Sequence, residues 1–330
     1  MKYVTGEIGY TMDRPSAVSL GKFDGLHRGH RKLLDEVQKQ KKNGLASVIF
    51  TFTQNPTRVL SGLSAQNIIT NEERRAMLEE EGIDCLVECP FVPELAHMEP
   101  ERFVEKILVE QLKAAFIAVG TDFHFGYQRR GDYQLLQKLG DRYGFQVEVV
   151  EKAQSHGRDI SSTYIREALH EGNIPLANEL LGYSYYVTGE VLHGRQIGRT
   201  LGLPTTNLLP PQVKLLPPNG VYLTRTIPMD GEEWEYYGIT NIGYKPTVGA
   251  TEQKGVETYL FDYNGDLYGR KLRVEFLEFE RPEQKFESLE ALKSRILSDV
   301  NWGKSKIKQK NLLYHTAKIR KERWARSLAC

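Results

Sequence analysis

Apolar positions along this chain follow two rhythms, and the change from one to the other divides it. Up to about residue 183, short apolar runs alternate with stretches whose apolar residues recur every three or four positions. AVSL (17–20) reads as a buried strand. In the following HRKLLDEVQKQKKNG, Leu33, Leu34 and Val37 share one helical face before Asn43-Gly44 stops it. LASVIFTF (45–52), rich in β-branched and aromatic residues, is a second strand. Together they predict a βαβ unit with a glycine- and histidine-rich loop, GKFDGLHRGH (21–30), at the carboxyl end of its first strand. Open parallel sheets bind ligands at that end. Helix-like and strand-like stretches then alternate: 71–82 with 83–90, 100–112 with 113–126, and 131–144 with 145–151. A helical stretch over 160–183 ends the series. The alternation predicts a three-layer α/β domain with a mostly parallel sheet.

Beyond residue 183 the helical period disappears. Short strand-like runs (185–194, 220–227, 233–243, 255–265 and 271–279) are separated by Gly, Pro and Asn-Gly turns. Asn264-Gly265 falls between two of them and reads as a hairpin. Strands at this spacing predict a small closed antiparallel β-barrel. A helix over 286–300 completes it, with Leu289, Leu292, Ile296 and Val300 on the inner face. The expected division is therefore residues 1–183, residues 184–300, and a basic tail over 301–330.

A length of 330 residues exceeds what one hydrophobic core usually serves, in keeping with two domains. The first residues lack the apolar core of a signal peptide, and no run approaches the roughly 18 apolar residues of a membrane span. Cys85, Cys89 and Cys330 lack the spacing of a zinc or redox pair, which fits a reducing cytoplasm. The net charge of +1 conceals an asymmetry. The last thirty residues carry nine Lys or Arg against Glu322 alone, leaving 35 basic and 42 acidic residues in the rest. Such a tail is able to bind nucleic acid, but no recognition-helix or RNA-binding motif accompanies it. It reads as a solvated terminal helix or a frayed end.

The loop at 21–30 contains no Walker A pattern. His27 and His30, three apart at a helix mouth, reach one small ligand, and the first N–H groups and dipole of that helix favour an anion. By themselves they read also as a glycine turn with solvated rings, or as the start of a metal site. A second helix mouth lies in ISSTYIR, where Ser161, Ser162 and Thr163 read plainly as an N-cap cluster. Yet Arg166 stands where a capping box from Thr163 would want Glu or Gln, and a first-turn arginine opposes the helix dipole unless an anion is near. Together the two mouths read as a triphosphate clamp.

G-x-F-D-G-x-H-x-G-H followed far downstream by I-S-S-T-x-I-R resembles the adenylyltransferase module of bacterial bifunctional riboflavin kinase/FAD synthetases. VGTDFHFGYQRRGD (119–132) is similar to that family's flavin-side segment. TFTQNP (51–56) is similar to its T-F-x-P-H-P, with Gln54-Asn55 in place of Pro-His. The resemblance implies a Rossmann-like nucleotidyltransferase domain that transfers AMP from ATP to the phosphate of FMN and releases pyrophosphate. It implies that His27 and His30 stabilise the α-phosphoryl group in flight, and that Gly21, Phe23, Asp24, Gly25 and Gly29 line the ATP site. Ser162, Thr163 and Arg166 would hold the β- and γ-phosphates, with Asp122 and Phe125 on the flavin side. Such a transfer relies on positioning and electrostatics and requires no protein nucleophile.

In the second domain, HGRQIGRTLGLPTTNL (193–208) concentrates glycine, arginine and small hydroxyls. If PTTN is extended, Thr205 and Asn207 face one side and Thr206 the other. Two hard neutral oxygens on one face suit Mg²⁺ carried by nucleotide phosphates. A polar loop on a barrel rim has the same composition. The stretch resembles the G-R-x-x-G-x-P-T-A-N signature of riboflavin kinases, and NIGYKPTVG (241–249) and VETYLFDYNGDLYG (256–269) are similar to the family's next two segments, in order. The resemblance implies that Gly194, Gly198 and Arg199 line the phosphate loop, that Thr205 and Asn207 bind Mg-ATP, and that Asn241 shapes the pocket. Glu257 would be the general base for the riboflavin 5′-hydroxyl. Tyr259, on the same face, stands where the family more often has histidine.

The sequence thus reads as one chain with two ATP- and Mg²⁺-dependent activities, riboflavin to FMN and FMN to FAD. Its partners are the small molecules riboflavin, FMN and ATP, with no membrane and no nucleic acid. Two other readings fit the same residues. One is a kinase with a weakened adenylyltransferase, given Gln54-Asn55; the other is a flavin-sensing regulator that binds nucleic acid through the tail.

Overall fold

The computed structural model describes residues 1–6, 9–54, 66–194, 202–246 and 252–309. Contacts divide the chain into two compact units, Met1–Tyr164 and Ile165–Cys330.

The first unit is built on strands β1 (Lys2–Thr5), β2 (Ser16–Leu20), β3 (Ala46–Phe52), β4 (Cys85–Cys89), β5 (Ala114–Gly120) and β8 (Gln146–Val150). Two short ribbons, β6 (His124–Phe125) with β7 (Gly131–Asp132) and β9 (Gln154–Ser155) with β10 (Arg158–Asp159), flank β8 in sequence. The sheet runs β1-β4-β3-β2-β5-β8, and every neighbouring pair is parallel. Strands β2 and β4 are buried at every position, as expected of strands covered on both faces. The covering helices are α1 (Arg28–Lys39), α2 (Asn71–Glu80), α3 (Pro100–Phe103) and α4 (Tyr133–Tyr143). Helix α1 buries Leu33, Leu34 and Val37 and passes through a 3₁₀ turn to Gly44, which ends it at φ +79°. Helix α2 starts from a capping box in which Thr70 and Glu73 satisfy each other's backbone N–H. Helix α3 continues as a π-helix over Val104–Gln111. Strand β1 escapes sequence reading because KYVT is short and polar; it is an edge strand that, among the described residues, pairs only with β4.

Helix α5 (Ser162–His170) leads into the second unit and is followed by α6 (Ile174–Leu181). The continuous helix expected over 160–183 is therefore two helices. Gly172 takes φ +71° and Asn173 caps the second through its Oδ1, which receives the Leu176 N–H. The unit's sheet runs β11 (Tyr186–Glu190), β16 (Lys271–Pro282), β13 (Gly220–Pro228), β14 (Tyr236–Pro246), β15 (Glu252–Leu260), β12 (Thr205–Leu208), all antiparallel. It curls into a half-barrel, and a bridge between Leu192 and Asn207 joins the chain just past β11 to the opposite edge strand. The Asn264-Gly265 hairpin does not form. Strand β15 pairs with β14 and β12, and β16 with β11 and β13, so the turn only carries the chain across the sheet. The terminal helix α7 runs from Leu289 to Gln309. Its buried residues are Asp299, Val300, Gly303 and Ile307, whereas Leu289 is exposed, contrary to the inner face drawn from the sequence. The helix extends past residue 300, so the first basic residues of the tail lie on it: Lys304 pairs with Asp262 and Lys306 with Glu278. The rest of the tail, with Cys330, lies outside the described residues.

Candidate active sites

Strand β2 ends at Leu20, and the chain enters α1 through a loop of unusual backbone. Phe23 (φ +47°), Gly25 (φ +93°) and Leu26 (φ +37°) all lie in the left-handed region. Phe and Leu reach it only under strain, which surrounding contacts must hold in place. Both side chains are fully buried. The Asp24 carboxylate accepts the backbone N–H groups of Ile68 and Ile69 at 2.9 and 3.3 Å, while its carbonyl accepts the Ser162 hydroxyl at 2.8 Å. Asp24 is thus spent on holding the loop. Gly21 precedes this turn and Gly29 lies on the first turn of α1.

His27 caps α1: its Nδ1 accepts the His30 backbone N–H at 3.4 Å. The two imidazole rings stack, with centroids 3.7 Å apart. Burial pulls His27 down to about 4, with the Asp122 carboxylate acting against it. Burial, and then the neighbouring His27, hold His30 well below its ordinary value. Both rings are neutral at pH 7. Since His27 Nδ1 is an acceptor, its proton sits on Nε2, which is left as a donor. The His30 Nδ1 is sealed from solvent with no hydrogen-bond partner among the described residues.

Ser161, rather than Thr163, caps α5 by accepting the Tyr164 N–H at 3.2 Å. Arg166 is therefore in the second turn of the helix, not the first. Ser162 points its hydroxyl at the Asp24 carbonyl, and Thr163 is exposed. Asp122 follows the carboxyl end of β5 and is exposed, its carboxylate 3.0 Å from the Lys152 ammonium. Phe125 is buried, stacked on Phe123 and tilted against Phe103. Gln54 borders a small polar cavity with Lys22, Asp24, Asn71 and Arg74; Asn55 lies outside the described residues. Sequence reading passed over Arg74. It lies on α2, nearly buried, and no motif marks it.

In the second unit, the strand register itself gathers the polar residues. Asn207 on β12, Glu257 on β15 and Asn241 on β14 stand in one row across three strands, and Thr205, Tyr259 and Ile239 form the next. Side chains opposite one another across such pairs lie on the same face. All six line one cavity of about 580 Å³, together with Gly194. Thr206 alternates to the buried side, as an extended PTTN requires. The Thr205 hydroxyl donates to the Glu257 carboxylate at 2.7 Å. Gly194 is held to glycine by contact, because a Cβ there would stand 2.5 Å from the Asn207 amide nitrogen. Gly198 and Arg199 lie outside the described residues. Arg281 and Asp299 close the other side of the cavity with a two-pronged ion pair at 3.1 and 2.6 Å. Beside them burial, with Asp299 adding to it, pushes Glu280 up to about 7. Thr205 and Asn207 offer neutral oxygens, and no group of three or more His, Cys, Asp or Glu suited to a metal occurs among the described residues. That donor set fits magnesium arriving with a nucleotide's phosphates better than a resident ion.

The family model described as FAD synthetase matches residues 10–164, and that described as riboflavin kinase matches residues 181–307. The bifunctional riboflavin kinase/FMN adenylyltransferase of Pseudomonas fluorescens is 37% identical over 290 residues, covering 87% of this chain and 91% of its own. The Escherichia coli K12 protein of the same description is 38% identical over 284 residues, covering 86% and 90%. A solved structure described as a macrolide-efflux protein from Streptococcus pneumoniae superposes with a TM-score of 0.83 at 28% identity, over 92% of this chain and 99% of that one. Among the described residues no helix is long and apolar enough to cross a membrane. The two family matches fall in order on the two units, and the identity to the relatives runs through both. This chain belongs to the family of bifunctional riboflavin kinase/FMN adenylyltransferases.

Proposed function

We propose that this chain makes FAD from riboflavin in two ATP-dependent steps, one in each unit. The observation that carries the reading is the row Asn207–Glu257–Asn241, with Thr205 beside it, on the wall of one cavity. There Glu257 acts as general base. It orients the riboflavin 5′-hydroxyl and takes its proton as the oxygen attacks the γ-phosphorus of Mg-ATP, breaking the bond to the β-phosphate oxygen and leaving ADP. The Thr205 hydroxyl holds the Glu257 carboxylate in place, and Thr205 and Asn207 would hold the magnesium, which would neutralise charge on the transferring phosphates. Gly194, with Gly198 and Arg199, lines the phosphate loop.

In the first unit an FMN phosphate oxygen attacks the α-phosphorus of ATP, the α–β anhydride bond breaks, and pyrophosphate leaves. His27 and His30 act as neutral donors to the α-phosphoryl oxygens, with His27 presenting its Nε2–H. Gly21, Phe23, Asp24, Gly25 and Gly29 shape the loop around the nucleotide. Ser162, Thr163 and Arg166 hold the β- and γ-phosphates, and Asp122 and Phe125 lie on the flavin side. A reducing cytoplasm suits Cys85 and Cys89, which are buried thiols pushed up to about 11 by burial.

The purified chain, given riboflavin, ATP and Mg²⁺, is expected to yield FMN first and FAD after it when the flavins are separated over time. Unchanged riboflavin would refute the kinase half, and accumulation that stops at FMN would refute the adenylyltransferase half.

A further inference from the structure

A strained loop holds its shape only if its neighbours fix it, and one side chain contributes to that from an unexpected direction. Arg74 projects from α2 and is 5% exposed. Its Nη1 donates to the Lys22 carbonyl at 3.4 Å, inside the GKFDG loop, and its Nη2 to the Phe52 carbonyl at 3.4 Å, at the carboxyl end of β3. Nη2 also reaches the Asn71 side-chain oxygen at 3.0 Å, while Asn71 in turn donates to the Thr53 carbonyl at 3.0 Å. Behind these contacts, Nε and Nη2 grip the Glu88 carboxylate, which is wholly buried. Arg75 holds the other oxygen of Glu88 at 3.1 and 3.0 Å, and the Tyr3 hydroxyl donates to it at 2.6 Å. The guanidinium is therefore immobilised from the rear, and its front edge braces two chain segments at the carboxyl end of the sheet. Thr51 also donates its hydroxyl to the same Lys22 carbonyl, at 3.4 Å.

We propose that Arg74 is a positioning residue for adenylyl transfer: anchored on Glu88, it fixes the Lys22 carbonyl and with it the backbone leading into Phe23–Leu26, so that His27 meets the α-phosphoryl group in register. This rests on the reading of the first unit as the adenylyltransferase. Arg74 contacts loop backbone rather than nucleotide, so its loss displaces the loop without removing a binding group. Lysine does not reproduce the planar fork that serves Glu88, Lys22 and Phe52 together.

The test compares the full-length wild type with Arg74→Met, Arg74→Lys, Thr51→Val and the Arg74→Met/Thr51→Val pair. Conversion of FMN to FAD and conversion of riboflavin to FMN are measured separately. Displacement on the scale of an ångström predicts a fall of about 10- to 100-fold in kcat for FAD formation in Arg74→Met, with KM for FMN and ATP changed by less than about threefold. Arg74→Lys should recover part of this, and Thr51→Val should fall in the same direction. The pair should lose less than the product of the single losses, since both act on one carbonyl. Riboflavin phosphorylation stays at the wild-type rate. Wild-type kcat in Arg74→Met, or a raised KM with kcat intact, overturns the inference. If Arg74→Met does not fold, Thr51→Val decides, and wild-type kcat there overturns it as well. A wild type that makes no FAD from FMN would instead remove the reading on which the inference stands.

Discussion

Burial rather than charge sets the chemistry open to His27 and His30. A histidine whose folded value is depressed is neutral in the native state and protonates more readily when unfolded. Between its ordinary value of 6.5 and about 4, the unfolded chain binds the extra proton, so stability falls as pH drops through that window and rises as pH climbs. For His27 the difference is on the order of 3 kcal/mol. His27→Asn keeps a side chain able to cap α1 but removes the titration. Denaturant unfolding at pH 6.5 and pH 4.5 should show the wild type losing stability towards acid more steeply than the variant; equal losses would contradict the buried, neutral assignment. The sequence pointed to these two rings but not to their state, because burial depends on Phe23 and Leu26 turning inward through positive φ, which no local pattern announces. Asp24 shows the same dependence on tertiary structure: its carboxylate receives the Ile68 and Ile69 amides from a distant segment, a bond that the motif does not announce.

Among elements, the strands of the second unit do most to assemble a site, since register alone aligns Asn207, Glu257 and Asn241. That much was legible in outline: alternation along PTTN separates Thr206 from Thr205 and Asn207, and the same period puts Tyr259 with Glu257. Pairing partners were not legible. Asn-Gly chemistry favours a hairpin locally, but the tertiary sheet sends β15 and β16 to different neighbours. Helix α7 shows a related failure. Period-3.6 reading assigns Leu289 to the inner face, whereas the helix is fixed further along by buried Asp299, which takes Arg281 in two bonds and Arg295 at 2.9 Å. Removing one partner from a buried pair leaves an uncompensated charge, so Asp299→Ala should cost about 3–5 kcal/mol in urea unfolding. A loss under about 1 kcal/mol, the range of exposed pairs, would show that the cluster is solvated.

For the whole molecule, the sequence's change of rhythm near residue 183 reflects a change of architecture, from a parallel sheet covered on both faces to an antiparallel half-barrel. The contact division falls earlier, at Tyr164/Ile165, because helix α6 is tied into the second unit: the Asn178 amide donates to the Phe276 carbonyl at 2.9 Å and accepts the Tyr185 N–H at 2.7 Å. Helical periodicity does not tell which sheet a helix will join. The two proposed sets of site residues share no member, so the two reactions should be separable by single substitutions. The most direct measurement assays both conversions in Glu257→Gln and His30→Ala. Glu257→Gln should lower FMN formation from riboflavin by about 10²- to 10⁴-fold while still turning supplied FMN into FAD. His30→Ala should do the reverse. Loss of both activities in either variant, with the protein still folded, would contradict the assignment of one reaction to each unit.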